Sequence, residues 1–251
     1  MKIKILSSGS KGNSTYLESG NTRILIDAGI NYNIIKKTLE EENIDVNSID
    51  GVLISHTHSD HIGGLSSLIK KVNTKVFIKE ELEKDIKKII PRDNIEIIED
   101  DFIMGDFDIK SFNTSHDVPN SGYIIQDGKA SFVYITDTGY INRKYIDITK
   151  NKDVYMLEFN HDEKMVMEGP YPYILKERVL GDKGHLSNRA STNYLTKVIG
   201  DKTKYIILAH MSENNNTEEL AVATLLDKLP EYKDKLIVTK QQTSTKMIEI
   251  W

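Results

Sequence analysis

No cysteine occurs among the 251 residues. Disulfides, a thiolate zinc site and a thiol nucleophile are therefore excluded, and the absence is compatible with a reducing cytosol. No apolar run approaches the roughly 20 residues that a membrane helix needs. The opening MKIKILSSGS has neither the apolar stretch of a signal peptide nor transit-peptide character, so a cytoplasmic protein is expected. Excess positive charge is missing too. Lys and Arg number 33 against 38 Asp and Glu, a net charge of -5, so no global basic field grips nucleic acid. Divalent cations bound in a cleft would reverse that locally. Proline is scarce, at five residues, and no proline-rich or low-complexity tract interrupts the chain. A single domain spanning 1–251 is the expectation, with ample length for one core.

Strand-like and helix-like segments alternate. Lys2 to Leu6 alternates as a short strand. Thr15 to Glu18 and Thr22 to Ile26 form an expected hairpin across Ser19-Gly20-Asn21, since Gly-Asn supplies positive φ. Gly51 to Ser55 is a continuous apolar run of the buried-strand kind, ending at His56. A helix is expected over Ile62 to Lys71 with Gly63-Gly64 in its first turn. Further strands are expected at Val76–Ile78, Ile95–Ile98, Phe107–Phe112, Tyr123–Gln126, Ser131–Ile135, Asp153–Leu157 and Tyr205–Leu208, with helices over Ile34–Glu42, Arg189–Ile199 and Glu218–Lys228. Glu80 to Lys88 reads as a solvated helix.

All seven histidines fall in short polar segments or directly after a strand-like run. Three lie in His56-Thr57-His58-Ser59-Asp60-His61. On a helix, positions i and i+4 share a face while i+2 lies opposite, so this spacing excludes a helical metal site. In an extended turn after a strand, His56 and His58 point to one side. Asp60 and His61 then turn toward a second metal as the chain enters the helix. Imidazole with carboxylate suits Zn²⁺, Mn²⁺, iron or cobalt and excludes an all-oxygen calcium cage.

The run His56 to Gly64 resembles the signature of the metallo-β-lactamase superfamily. Asp27-Ala28-Gly29, Ser115-His116-Asp117, Thr136-Asp137-Thr138-Gly139 and Ala209-His210-Met211-Ser212 are similar to its other motifs. The resemblance implies an α/β fold, a four-layer αββα sandwich, with a binuclear site at the sheet edge. It also implies two divalent metal ions, Zn²⁺ or Mn²⁺. One would take His56, His58 and His116, the other Asp60, His61 and His210. Asp137 would bridge them, together with a hydroxide that serves as nucleophile. Two cations about 3.5–4 Å apart need such an anionic bridge. Glu158 and His185 resemble a pair in the phosphodiesterase branch that includes ribonuclease Z. By that likeness His185, held by Glu158, donates a proton to the leaving group, and Asp60 belongs to the catalytic set.

Longer stretches narrow the resemblance. Ser8 to Ser14, Glu158 to Asp162, Tyr171 to Arg178, Gly181 to Asn188 and Ala209 to Asn216 together resemble the YycJ (WalJ) family, from residue 3 to about residue 250. This implies a bacterial phosphodiester hydrolase, a DNA exonuclease. The Gly- and Ser-rich turn is either a phosphate nest, with Ser10 and Asn13 as contacts, or a tight polar turn. His161, Arg178 and Lys183 are further candidate substrate contacts, as are Lys11 and Arg189. His161 could equally support the site from behind. The alternative substrate is a 3′,5′-cyclic nucleotide, which the acidic composition favours slightly. A non-hydrolytic metal-binding regulatory module is a third class, and a homodimer is possible. Lactamase branches with a cysteine ligand are excluded. No arm-like insertion between His61 and His116 and no long insertion after Asp137 argue against tRNA maturation and the large RNA-processing nucleases.

Overall fold

The computed structural model describes residues 1–251. Its strands are β1 (Lys2–Ser7), β2 (Ser14–Ser19), β3 (Thr22–Ile26), β4 (Gly51–Leu53), β5 (Lys75–Ile78), β6 (Ile95–Ile97), β7 (Asp101–Met104), β8 (Phe107–Asn113), β9 (Ser121–Gln126), β10 (Ser131–Ile135), β11 (Val154–Glu158), β12 (Tyr205–Ala209), β13 (Leu236–Val238) and β14 (Ile248–Glu249). They form two seven-stranded sheets, ordered β14-β1-β2-β3-β4-β5-β6 and β13-β12-β11-β10-β9-β8-β7. Both are mixed. In the first, β14 to β3 run antiparallel and β3 to β6 parallel. In the second, β10 to β13 are parallel, and β7 pairs antiparallel with β8.

The chain divides into two compact units. One comprises Met1–Ser111, Ile125–Lys129 and Lys240–Trp251, the other Phe112–Ile124 and Ala130–Thr239. In the first unit, the helix Tyr32–Glu40 buries Tyr32, Ile35 and Leu39, one helical stripe, in a core shared with Leu25, Val52 and Val76. Asn31 caps it by accepting from Asn33 N. In the second unit, every residue of β10 and β11 is buried. Parallel strands covered on both faces read as continuous apolar runs, which is why they are visible in the sequence. The helix Asn188–Val198 packs Tyr194, Leu195 and Val198 into that unit's core.

The helix expected over 62–71 is in fact two. Ser59–Ile62 forms one turn and Leu65–Val72 a second helix. Gly63 and Gly64 separate them because the chain here is drawn onto the 27–30 loop. Gly64 N donates to Ala28 O at 2.8 Å, and a Cβ on Gly64 would lie 1.8 Å from Ile30 O. Over 80–88 the solvated helix is a 3₁₀ turn, Glu80–Leu82, and the short helix Glu83–Ile86. Leu82 and Ile86 are buried, so the segment is more than a solvent face. Strand β7 and the helices Glu163–Glu168 and Tyr173–Leu180 had no periodic signal. The last buries no residue at all.

Candidate metal centre

In the first unit the site is built on the loops that leave β3 and β4. Asp27, directly after β3, takes a left-handed backbone (φ 60) and is fully buried. Its Oδ1 accepts from Ser55 N at 2.8 Å, and its Oδ2 from Ser55 Oγ at 2.8 Å. The same Oδ2 lies 2.7 Å from His61 Nδ1. A carboxylate only accepts, so His61 carries its proton on Nδ1 and leaves a lone pair on Nε2. Ser55 Oγ, its own proton given to Asp27, accepts from His56 Nδ1 at 3.0 Å. That fixes the lone pair of His56 on Nε2 as well. Two ligands are thus set in the metal-binding tautomer by one buried aspartate, through the outer-shell logic common to metal-ligating histidines.

His58 stands on extended backbone, and its ring is 4.8 Å from that of His56. The extended segment ends sooner than the spacing of the hexad suggests: Asp60 and His61 project from the helical turn Ser59–Ile62. His61 Nε2 lies 3.5 Å from Asp60 Oδ2. Asn13 touches both ligands, its Nδ2 donating to Asp60 Oδ2 at 3.2 Å and meeting His61 Nε2 at 2.9 Å. Gly29 permits this arrangement, since a Cβ there would lie 1.7 Å from Asp60 O.

In the second unit the parallel strands β10, β11 and β12 end side by side, the usual place for a site in such a sheet. Asp137 lies just beyond β10, Glu158 ends β11, and His210 follows β12. Asp137 and His210 are again left-handed, at φ 56 and 52. Ligand atoms of Asp137, Glu158, His185 and His210 all lie within 4.8 Å of one another. Glu158 is fully buried and accepts four times. Oε1 faces His185 Nδ1 at 2.7 Å and His210 Nδ1 at 2.9 Å. Oε2 accepts from Thr138 N at 3.0 Å and Leu186 N at 3.1 Å. The lone pair of His210 is thereby left on Nε2. Asp137 Oδ1 is 3.4 Å from His210 Nδ1 and 3.7 Å from His185 Nδ1.

Burial is the largest influence on Glu158 and pushes its pKa up. The charge and hydrogen bond of His185, with that of His210, outweigh it and hold the carboxyl at about 2. Burial likewise pushes His185 down, but the Glu158 charge and hydrogen bond prevail and raise it above the usual imidazole value. His116 moves the other way, lowered chiefly by burial. Its ring is 5.5 Å from that of His185, whose ring is 5.4 Å from that of His210.

The remaining expected residues are more dispersed. His161 is buried, and burial lowers its pKa to about 4, so it is neutral. It lines a cavity of about 610 Å³ with Lys164, Arg189 and Lys228. Arg178 Nη2 donates to Asp117 Oδ2 at 2.8 Å, beside His116. Lys183 and Ser10 are exposed, whereas Asn13 is buried against Asp60 and His61. Sequence reasoning missed Ser55, Asn120 and Asn160, and the second role of Glu158 at His210. Asn120 Nδ2 donates to Asp137 O at 2.7 Å, and Asn160 Nδ2 to His210 O at 3.0 Å. No local spacing signals these pairings, because they join separate strands and loops. The donor set of imidazoles and carboxylates, with lone pairs directed by buried carboxylates, fits a divalent transition metal.

The chain belongs to the β-lactamase superfamily: the family model for the beta-lactamase superfamily domain matches residues 22–211. Two mixed sheets with flanking helices make its fold the α/β sandwich of that family. Among its relatives, the exodeoxyribonuclease WalJ of Streptococcus pneumoniae is 37% identical over 99% of this chain and 98% of its own length. The exodeoxyribonuclease YycJ of Bacillus anthracis is 34% identical over 88% and 86%. Among solved structures, the metallo-β-lactamase fold protein YhfI of Bacillus subtilis superposes with a TM-score of 0.74 at 16% identity, covering 98% of this chain and 99% of that one. The short form of human tRNase Z superposes at 0.69 with 14% identity and full coverage of both. These two likenesses concern the fold alone.

Proposed function

We propose that this chain, acting as one hydrolase domain in the cytoplasm, is a metal-dependent exonuclease of DNA. The observation that carries the chemistry is the Glu158–His185 pair beside Asp137 and His210 at three adjoining strand ends. Near-full-length similarity to two exodeoxyribonucleases supports DNA as the substrate. No helix is long and apolar enough to cross a membrane.

Two divalent ions, Zn²⁺ or Mn²⁺, would be held by His56, His58 and His116 and by Asp60, His61 and His210, with Asp137 serving both. Bound there, they would offset phosphate charge and lower the pKa of water. The rest falls to side chains. Asp27 and Glu158 hold ligand imidazoles in the tautomer that puts the lone pair on Nε2. Glu158 raises the pKa of His185 and so favours its protonated form, and the Nδ1 hydrogen is already spent on Glu158. The proton available for a departing 3′ oxygen is therefore the one on Nε2, which the imidazolium gives up as the P–O bond breaks. Ser10, Asn13, His161, Arg178 and Lys183 are the proposed substrate contacts.

The test compares Zn²⁺- and Mn²⁺-loaded protein on 5′-phosphorylated linear DNA and on 3′,5′-cyclic nucleotides. Rapid loss of DNA with little ring opening is the expected result. Ring opening without DNA loss would replace the nuclease reading with degradation of nucleotide signals.

A further inference from the structure

Asp137 is followed by a turn whose backbone is bonded at every step. Thr138 N donates to Glu158 Oε2 at 3.0 Å, and Gly139 N to Ser115 O at 2.9 Å. Thr138 Oγ1 accepts from Ser115 N at 3.0 Å and donates to Tyr140 O at 2.7 Å. The turn is also pressed onto the loop before His185. A Cβ on Gly139 would lie 2.3 Å from Asp182 C and 2.4 Å from Gly181 O. That loop is tied to His185, with Gly184 N donating to Gly181 O at 2.8 Å and His185 N to Val179 O at 3.1 Å. Tyr140 thus stands beside the cluster of Asp137, Glu158, His185 and His210, all of it within one compact unit.

The backbone of Tyr140 is pinned, yet its side chain makes no polar or ring contact. The residue is 46% exposed, its hydroxyl has no hydrogen-bond partner, and its ring meets neither another ring nor a cation. Leu180 and Lys183 are exposed on the segment against which the turn packs. A lone exposed tyrosine on a protein surface needs no explanation. Position makes this one different: it lies three residues beyond Asp137, with a lysine on the adjoining loop. An aromatic face beside a cation suits a single nucleic-acid strand, which lays a base on the ring and a phosphate on the charge. With a net charge of -5 the chain has no broad basic surface to hold DNA, and stacking is a grip that needs none.

We propose that Tyr140 is a specificity-determining residue: its ring stacks on a base at the end of the DNA strand held at the metal centre, so that a base-bearing strand is told from a bare sugar–phosphate chain. This rests on the nuclease reading. The ring and the hydroxyl can be separated. Tyr140→Phe keeps the stacking face and loses only the hydroxyl. Tyr140→Ala removes both.

The experiment measures initial kcat and KM for wild type, Tyr140→Phe and Tyr140→Ala on a 5′-phosphorylated single-stranded oligonucleotide and on a copy with abasic tetrahydrofuran units in place of the terminal two nucleotides at each end. Tm and Mn²⁺ affinity by titration calorimetry are followed alongside. Wild type and Tyr140→Phe should favour the base-bearing strand about tenfold in kcat/KM, the scale of one base–aromatic stack. Tyr140→Ala should lose that preference through a higher KM on the base-bearing strand, with Tm and Mn²⁺ affinity as in wild type. Equal use of the two strands by wild type, or a preference that survives in Tyr140→Ala, overturns the stacking role. If Tyr140→Ala is slow on both strands and binds Mn²⁺ weakly, Tyr140 supports the Asp137 turn and the assignment falls. A wild type that cleaves neither strand refutes the nuclease reading itself and takes this assignment with it.

Discussion

Exchanging Glu158 for Gln replaces one oxygen with NH₂ and changes nothing in size, yet it should disable the cluster that Glu158 forms with Asp137, His185 and His210. The carboxylate meets four hydrogen-bond donors: His185 Nδ1, His210 Nδ1, Thr138 N and Leu186 N. A carboxamide accepts at one end only. Backbone N–H groups cannot reverse, so the amide oxygen must face Thr138 and Leu186 and the NH₂ must face the two imidazoles. Both histidines can adapt by moving their proton to Nε2. His210 then has no lone pair for a metal, and His185 loses the anion that raised its pKa. If they do not adapt, two buried donors oppose a donor, at about 1–3 kcal/mol each. By the first route metal affinity should fall roughly 10–100-fold. By the second, stability should fall by about 2–6 kcal/mol. Titration calorimetry with Mn²⁺ or Zn²⁺, thermal denaturation and DNA turnover distinguish them. The sign for pH follows from the raised pKa of His185. The protonated donor persists to higher pH in the wild type, so the alkaline fall in rate should move to lower pH in Glu158→Gln. Wild-type metal affinity, stability and pH profile in this variant would refute the tautomer argument.

Three further outcomes rest on named residues. Asp60→Ala or His61→Ala should abolish turnover while leaving the circular dichroism spectrum unchanged; full activity in either would remove the second metal from the reading. His185→Ala should slow DNA cleavage far more than hydrolysis of bis-p-nitrophenyl phosphate, whose leaving group needs little protonation, and equal losses would take His185 out of the donor role. Glu18 is a stability case. Burial pushes its pKa up, but bonds from Lys2, Tyr16 and Arg23 hold it at about 2. A depressed carboxyl stabilises the fold above its unfolded pKa and stops doing so as pH falls from 4.5 toward 2. After discounting for screening at this half-buried site, the effect is on the order of 1–2 kcal/mol. Denaturant titrations of wild type and Glu18→Gln should therefore converge in acid, and a constant gap would contradict the assignment.

Much of the molecule is legible in the sequence because its signals are local. The apolar runs of β4, β10, β11 and β12 identify buried strands, and each carries a polar residue at or just beyond its C-terminal end. The hexad 56–61 betrays itself by spacing that a helix cannot use. The illegible part depends on pairing across the chain. Gly63-Gly64 looks like the soft start of a helix, and only the approach of Ile30 O to Gly64 shows why the helix breaks there. Glu158 can be matched to His185 by resemblance. Its grip on His210 comes from β11 and β12 being neighbours in register, with Glu158 opposite Ala209. The helix Tyr173–Leu180 is invisible because it buries nothing and so needs no apolar stripe.

The left-handed residues tie the fold to its chemistry most directly. Asp27, Asp137 and His210 each come just after a strand, and each holds a positive φ that costs a non-glycine residue on the order of 1–3 kcal/mol. Glycine would relieve the backbone but supply no carboxylate or imidazole. The strain is instead held by specific bonds to neighbouring groups: Ser55 on Asp27, Asn120 on the carbonyl of Asp137, Asn160 on the carbonyl of His210. Each bond is made to a residue whose side chain must turn out of the strand direction to reach the site. The buried Asn120 and Asn160 are therefore the counterparts, in the second unit, of Ser55 in the first. Their side chains donate to the carbonyls of Asp137 and His210, the two residues whose backbone is left-handed.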